Sequence, residues 1–275
     1  MANSTSRAMD GFVARHQFVF VGGLHRSGTT LIARSLADHP EVSALRGTRV
    51  PEDEGQHLQT VYPTAQAFGG PGRFGFARRA RLTERARLAT RANRDRLLGA
   101  WTPYWDVSRR VLVEKSPPNV VRTRFLQALF PDARFVMIVR HPIAVAIATQ
   151  KWSRTSVASL VAHWLRCHRT LVDDAKRVDR LRVIRYERLV AVPERVGAEL
   201  LAFLDLDGTL ALGGVRGGVN DAYFAEWASR RPAIRDVRLL EAAEPAANAF
   251  GYSILEPHAR PAPSPTVARV LGAWD

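Results

Sequence analysis

The stretch FVFVGGLHRSGTTLI, residues 18–32, constrains the fold of this 275-residue chain more than any other segment. A run of apolar residues ends in Gly22 and Gly23, and a segment with helical spacing begins near Thr29. A buried strand that turns through glycines into a helix is the opening unit of an α/β sheet. Such a turn brings backbone N–H groups and a helix N-terminus to one point, which is a geometry that binds anions.

Three more apolar runs predict buried strands, near residues 110–117, 133–140 and 181–187. The segments between them have the length and spacing of helices. The sequence therefore predicts an α/β fold with a mostly parallel central sheet flanked by helices. Its length suits one core, so we expect a single domain over residues 1–255. Residues 256–275 form a Pro-rich C-terminal tail, expected to be extended or partly ordered.

The formal charge of +14 comes almost entirely from arginine, whose planar fork suits phosphate and sulfate groups. Nine arginines lie between Arg73 and Arg96, against two acids. That stretch leaves three roles open: an exposed helix, a surface for an acidic acceptor, or a nucleic-acid surface. Because the chain has no zinc-finger, helix-turn-helix or basic-aromatic RNA motif, we do not expect nucleic acid as its ligand.

The single cysteine, Cys167, excludes an intrachain disulfide and a cysteine-cluster metal site. It shares a helical face with His163, but no further ligand follows, so we expect core packing and no metal. No apolar run reaches the 18 or so residues of a membrane span, and the N-terminus lacks the pattern of a signal peptide. These features favour a cytoplasmic location. The oligomeric state stays open, a dimer included.

The opening loop differs from an ATP-binding P-loop at its most important position. Gly23, four residues and Gly28 fit that pattern, but Thr29 stands where the lysine would be. A triphosphate needs that lysine together with Mg²⁺. The loop is therefore suited to a single 5′-phosphate on a mononucleotide. The residues predicted to hold it are Arg26, Ser27, Gly28, Thr29 and Thr30.

At this point the residues match a known family. GGLHRSGTTLI resembles the 5′-phosphosulfate loop of sulfotransferases that use 3′-phosphoadenosine 5′-phosphosulfate (PAPS). Arg140, followed by HPIAVAIATQKW, resembles the second signature of that family, in which an Arg and a later Ser hold the 3′-phosphate. The position of that Ser is Ala148 here, so Thr149 is our substitute, with Ser153 as the runner-up. VIRYERLVAVPE is similar to a third family element and implies that Tyr186 lies near the nucleotide.

The resemblance implies a P-loop NTPase-like sulfotransferase fold and transfer of a sulfuryl group to an acceptor hydroxyl, without a metal. Adenosine 3′,5′-bisphosphate would be the product. Arg26 and the loop amides would stabilise the leaving phosphate. Lys115, in VEKSPPN, resembles the Lys of a K-D-P element in the protein-tyrosine branch and implies contact with the leaving group or the sulfuryl group.

The residue that removes the acceptor proton does not follow from the resemblance. HPEVSALRGTRVPEDEGQHLQ resembles a segment of tyrosylprotein sulfotransferases, but the position of their catalytic Glu is Gly47. A replacement among Glu52, Asp53, Glu54 and His57 remains open. We favour Glu54 because Gly55 permits a close approach of substrate, with His57 second because histidine is the residue type best suited to proton transfer near neutral pH. Alternatively, these acids merely cap a helix formed by EGQHLQTVY.

Two other functions remain in view. A kinase or nucleotide hydrolase with a divergent phosphate loop would need Mg²⁺ and ATP, and a non-catalytic module for polyanions would use the charge alone. The acceptor is expected to be a small molecule, a glycolipid or a carbohydrate. FGGPGRFGF is typical of a lid, and WTPYW, residues 101–105, would line either an acceptor pocket or the core.

Overall fold

The computed structural model describes residues 2–230 and 233–272 and contains one sheet of five parallel strands, in the order β2-β3-β1-β4-β5. The strands are β1 (Gln17–Gly23), β2 (Val42–Ala44), β3 (Val111–Lys115), β4 (Arg134–Val139) and β5 (Leu181–Arg185). The predicted parallel sheet is thus confirmed, and four of the strands lie at the four predicted runs. The edge strand β2 escaped prediction because three residues are too few to show an alternating pattern.

Helices connect the strands and cover both faces of the sheet. They are α1 (Ala2–Arg15), α2 (Thr29–Ala37), α3 (Arg91–Trp101), α4 (Thr123–Leu129), α5 (Pro142–Gln150), α6 (Val157–Ala175), α7 (Tyr186–Ala191), α8 (Pro193–Phe203), α9 (Val219–Ala228), α10 (Ile234–Asn248) and α11 (Pro265–Leu271). In the Pro-rich tail, α11 buries Val267 and Leu271 against the core, while residues 273–275 lie outside the described part. No helix within the described ranges is long and apolar enough to cross a bilayer.

The sheet separates two apolar clusters, because alternate residues of a strand point to opposite faces. Phe18 and Phe20 of β1 join the larger cluster, which includes the face of α6 that carries Trp164. Val19 and Val21 join the smaller cluster with α2 and α8. The strands are therefore buried on both sides, as parallel strands usually are.

The predicted helix EGQHLQTVY is wrong. The structure has only two single turns of 3₁₀ helix here, Pro51–Asp53 and Gly55–His57, and then an irregular segment. The Gln59 side chain explains this: its Oε1 accepts hydrogen bonds from the amides of Val61 and Tyr62, and its Nε2 donates to the carbonyl of Gln56. These bonds compete with helical ones, so the acids have no helix to cap.

Candidate active site

A cleft of about 1090 Å³ lies at the carboxyl ends of the strands, where open α/β sheets place their ligands. Part of its wall follows strands directly: the loop after β1, Arg140 after β4 and Tyr186 after β5. Among the residues predicted from the sequence, the cleft is lined by Arg26, Gly28, Thr29, Thr30, Glu54, His57, Arg140 and Tyr186. Folding therefore brings the three phosphate motifs and the acidic segment around one space, although they are far apart in the chain.

The loop after β1 is closed by its own hydrogen bonds. The amide and the hydroxyl of Ser27 both donate to the carbonyl of Leu24, at 3.1 and 2.5 Å. Ser27 is buried and its hydroxyl braces the turn, whereas Thr29 and Thr30 line the cleft. The first N–H groups of α2 have no intrahelical acceptors, which leaves them to an anion.

Only glycine fits where this loop begins. A Cβ on Gly23 would lie 2.5 Å from the carbonyl oxygen of Ile138, and its φ of 152° lies in the region that L side chains rarely adopt. Gly28, the residue before α2, has a φ of 106°, and a Cβ there would lie 3.1 Å from the Tyr186 ring. The two glycines thus permit both the tight turn and the close approach of Tyr186.

Tyr186 joins this loop to the second motif. Its ring lies beneath the guanidinium of Arg140, whose Cζ is 4.1 Å from the ring centroid. Arg140 donates from Nη1 to the carbonyl of Arg26 at 2.9 Å and from Nε to Asn220 Oδ1 at 2.8 Å. The side chain that follows β4 is therefore fixed against the loop that follows β1.

One nitrogen of the Arg140 guanidinium is left without a hydrogen-bond acceptor within the described residues. The side chain is 5% exposed, and its Nη2 is buried with no hydrogen-bond partner among the described residues. Burial lowers the pKa of the guanidinium, because a charge in this position loses its hydration. An anion in the cleft would satisfy the unpaired N–H groups and offset that cost.

Sequence reasoning missed Asn220, which completes this network. Its amide donates to Glu187 Oε1 at 2.8 Å, and the same oxygen accepts from the amide of His141 at 2.8 Å. Glu187 Oε2 accepts from the Tyr252 hydroxyl at 3.0 Å. The Glu of the YE dipeptide is thus an anchor for the turn between β4 and α5. No local pattern marks Asn220, which lies 80 residues beyond Arg140.

The two candidates for the missing serine are placed differently. Thr149 is 2% exposed and does not line the cleft; it lies toward Gly72 and Leu160 in the interior. Ser153, the runner-up, does line the cleft, beside Arg154 and Trp152. Its hydroxyl lies 2.5 Å from that of Thr155. The geometry therefore favours Ser153.

The acidic segment places Glu54 in a small charged cluster. Its Oε1 lies 3.3 Å from Lys115 Nζ, and its Oε2 lies 3.7 Å from His57 Nε2 and accepts from Gln56 Nε2 at 2.6 Å. The side chains of Lys115 and Glu54 are 6% and 7% exposed, so the ion pair is almost completely shielded from solvent. Lys115 also donates to the carbonyl of Glu52 at 2.8 Å.

The other candidates are placed less favourably for proton transfer. Asp53 accepts from both the amide and the hydroxyl of Thr48, and the side chain of Glu52 is 57% exposed. Lys115 does not line the large cleft but an adjoining one of about 490 Å³, which shares Thr30 and Glu52 with it. Three candidates therefore line the large cleft, and Glu54 and His57, with side chains 7% and 19% exposed, are more enclosed than Glu52.

The space beside Gly55 is filled by protein and is not left for a substrate. A Cβ on Gly55 would lie 2.5 Å from Cγ of Glu114. The carboxyl of Glu114 accepts from the Ser116 hydroxyl at 2.5 Å and from the Asn119 amide at 2.6 Å. Trp101 Nε1 donates to the carbonyl of Gly55 at 3.0 Å. These contacts fix the segment that carries Glu54 and His57.

Glu114 gives a first testable prediction, on stability. Burial raises the pKa of its carboxyl from 4.5 to about 7, against the lowering effect of hydrogen bonds from Ser116 and Asn119. The folded state then binds the proton more tightly than the unfolded chain, so stability is full below pH 4.5 and falls as the pH rises to about 7. Each unit of pKa corresponds to 1.36 kcal/mol, so the loss is about 3 kcal/mol. The free energy of unfolding of Glu114→Gln, measured in urea, should not show this fall between pH 4.5 and 7. If it falls with pH as steeply as that of the wild type, the prediction is wrong.

Two further predicted features are now placed. The Gly- and Phe-rich segment packs on α6 through the bond from the Gly75 amide to His163 Nε2, at 3.0 Å, and through the buried ring of Phe74. Part of it, with Arg73, lines the cleft. Trp101 and Trp105 of WTPYW are buried in the core.

Several arginines of the basic stretch form ion pairs, which accounts for part of its charge. Arg81 binds Asp174, and both Arg91 and Arg94 bind Asp10 of α1. Of the arginines that line the cleft, Arg73 belongs to this stretch, whereas Arg26, Arg140 and Arg154 do not. Burial lowers the pKa of His25 in the same wall to about 3, so its ring is neutral at pH 7.

The turn from β1 into α2, which lacks the P-loop lysine, and the buried Arg140 directly after the neighbouring strand define an α/β protein with a candidate anion site at the carboxyl ends of its strands. Comparison with protein families identifies which one. Residues 18–209, well over half of the chain, match the model of the sulfotransferase family. The chain therefore belongs to the sulfotransferase family.

Curated relatives agree at low identity. Protein-tyrosine sulfotransferase A of Caenorhabditis elegans is 25% identical over 222 residues, which are 73% of this chain and 53% of the relative. Protein-tyrosine sulfotransferase 1 of Danio rerio is 26% identical over 204 residues, 68% of this chain and 53% of the relative. The chain thus spans about half the length of the curated relatives it matches.

Solved structures support the fold. The sulfotransferase domain of the Synechococcus PCC 7002 olefin synthase superposes with a TM-score of 0.52 at 21% identity, over 86% of this chain and 95% of that one. Sulfotransferase STF1 of Mycobacterium tuberculosis H37Rv gives a TM-score of 0.54 at 15% identity, over 88% of this chain and 80% of that one. The predicted P-loop-like sulfotransferase fold is thereby confirmed.

Proposed function

We propose that this chain transfers the sulfuryl group of PAPS to the hydroxyl of a small molecule, a glycolipid or a carbohydrate. One observation carries the proposal: the buried Arg140, with an unpartnered Nη2, lines the same cleft as the N-terminus of α2. A nucleotide with separate 5′ and 3′ phosphates supplies an anion to each of these two places. Adenosine 3′,5′-bisphosphate, the product of such a transfer, has both phosphates.

At the 5′ end, the chain provides donors where negative charge develops. The hydroxyls of Thr29 and Thr30 and the first amides of α2 surround the leaving phosphate, and Arg26 adds a positive charge. Donors fixed in advance at a developing charge are usually the largest catalytic contribution. At the 3′ end, Arg140 and Ser153 hold the second phosphate, and Tyr186 packs between the two sites.

At the acceptor, Glu54 takes the proton of the attacking hydroxyl. The acceptor oxygen forms a bond to sulfur while the bond between sulfur and the 5′-phosphate oxygen breaks. Lys115 holds the Glu54 carboxylate in position and adds positive charge near the transferred group. His57, at 3.7 Å from Glu54, is the second candidate for this base. Arg73, on the segment that packs against α6, faces the same space.

A phosphate-transfer function is the alternative, and its ligand distinguishes it. With Thr29 in place of the lysine, the loop has nothing to span two further phosphates. We therefore expect adenosine 3′,5′-bisphosphate to stabilise the protein and ATP with Mg²⁺ to have little effect.

The measurement is a thermal shift with each ligand at 100 times its dissociation constant, or at 1 mM where no binding is found. A ligand at that excess stabilises the native state by about 2.7 kcal/mol, which raises Tm by several degrees. A larger shift with ATP and Mg²⁺ would favour a kinase or hydrolase. No shift with either nucleotide would favour a module that binds polyanions through charge.

A further inference from the structure

Trp152 is an aromatic side chain that folding has left uncovered at the mouth of the cleft. It is 61% exposed and lies two residues after the end of α5, next to Ser153. Large apolar residues exposed beside a cleft often mark a binding function. The Cζ of Arg26 lies over its indole ring, 4.8 Å from the centroid. Within residues 2–230 and 233–272, no hydrogen bond or ion pair holds that guanidinium.

Both partners of this contact have fixed backbones. The amide of Trp152 donates to the carbonyl of Thr149 at 3.0 Å, and Gln150 Nε2 closes the same turn onto the carbonyl of Thr155 at 2.8 Å. Arg26 has a φ of 68°, and its carbonyl accepts from Arg140. The fold therefore holds the ring and the guanidinium against each other.

The contact suits a residue that must stay ready to bind an anion. A guanidinium over an aromatic face is attracted to it, most strongly to tryptophan, and all its N–H donors lie in its own plane. Stacking thus immobilises the arginine without using a donor. A free arginine side chain loses rotamer entropy when it is fixed, and part of that cost is met before the ligand binds.

We propose that Trp152 is a positioning residue that holds Arg26 over the 5′-phosphosulfate end of the cleft. The proposal rests on the function proposed above. Trp152 then acts through Arg26 alone, so its contribution to ligand affinity should depend on the 5′-phosphate of the ligand and on the presence of Arg26. A ring that stacked on the adenine base would contribute the same affinity without the 5′-phosphate and without Arg26.

The test is calorimetric binding of adenosine 3′,5′-bisphosphate and of adenosine 3′-monophosphate, which lacks the 5′ group. The variants are Trp152→Phe, Trp152→Leu, Arg26→Ala and the double variant Arg26→Ala with Trp152→Leu. Trp152→Leu keeps an apolar side chain and removes only the ring. Leu255→Ala, at a 49% exposed position outside the cleft, controls for a general surface effect.

Trp152→Leu should weaken bisphosphate binding about fivefold, within the range of a cation–π contact and the entropy it saves. Trp152→Phe should retain most of the affinity, and the effect should vanish in the Arg26→Ala background and with the monophosphate. If Trp152→Leu weakens binding equally in the wild type and in Arg26→Ala, or equally for both nucleotides, the role of Trp152 is overturned and the proposed function is not. A wild-type protein that does not bind the bisphosphate would overturn the proposed function and this inference with it.

Discussion

Glu54→Gln is expected to reduce turnover by about 10²- to 10⁴-fold while bisphosphate affinity stays close to that of the wild type. The carboxylate lines the cleft and is held at 3.3 Å by Lys115, so its loss removes the proton acceptor and not the phosphate sites. The measurement is the rate of bisphosphate release from PAPS, with the acceptor that the wild type uses best among phenols, sugars and glycolipids. Calorimetry on the same samples gives the affinity.

Stability has to be measured beside activity, because Lys115 is buried with Glu54. Removing one member of a buried ion pair costs several kcal/mol, although here the Glu52 carbonyl remains as an acceptor for Lys115. We therefore expect a lower Tm for Glu54→Gln, with a fold that still binds the bisphosphate. Glu52→Gln is the matched control: it removes a neighbouring carboxylate that is 57% exposed and should keep most of the activity.

His57→Ala separates the two candidate bases. If Glu54 takes the proton, the loss of His57 lowers the rate by much less than Glu54→Gln does, because the histidine only neighbours the carboxylate at 3.7 Å. The reverse order of effects would make His57 the base. Near wild-type turnover in both variants and in the control Glu52→Gln would exclude from proton transfer the three candidates of this segment that line the cleft.

The fold was predictable because its signals are local. Each strand of five or more residues appears in the sequence as a short apolar run. The turn from β1 into α2 needs glycine because neighbouring atoms leave no room for a Cβ. The loop residues Arg26, Thr29 and Thr30 follow from the same stretch. Their convergence with Arg140 was also predictable, because the carboxyl ends of parallel strands meet at one edge of a sheet.

The choice between Thr149 and Ser153 could not be made in the same way. Residues 142–149 of α5 are all buried, so the helix has no polar face whose period would show which side chain points to the cleft. Asn220 and Glu114 were missed for a related reason. Their roles come from contacts with residues distant in the chain, and an isolated Asn or Glu has no distinguishing pattern.

Arg140→Ala is expected to weaken adenosine 3′,5′-bisphosphate binding about a thousandfold. Truncating a buried, hydrogen-bonded charge partner costs 2 to 5 kcal/mol or more, and Arg140 is 5% exposed with one N–H group awaiting an acceptor. Arg140→Lys keeps a charge but loses the fork that binds Asn220 and the Arg26 carbonyl, so it should recover only part of the affinity. Arg195→Ala, an exposed position on α8, is the control and should bind like the wild type.

The stability of the ligand-free protein should respond in a different way. Because burial penalises the charge of Arg140, its removal relieves a cost, and the Tm without ligand should fall little despite the lost packing on Tyr186. Binding of adenosine 5′-monophosphate, which lacks the 3′-phosphate, is measured for comparison with the bisphosphate. Arg140→Ala should weaken its binding far less. Equal losses with the two nucleotides would mean that Arg140 acts through the Arg26 carbonyl on the loop and not on a 3′-phosphate. Only the unequal result is consistent with a site built for two phosphates on one nucleoside.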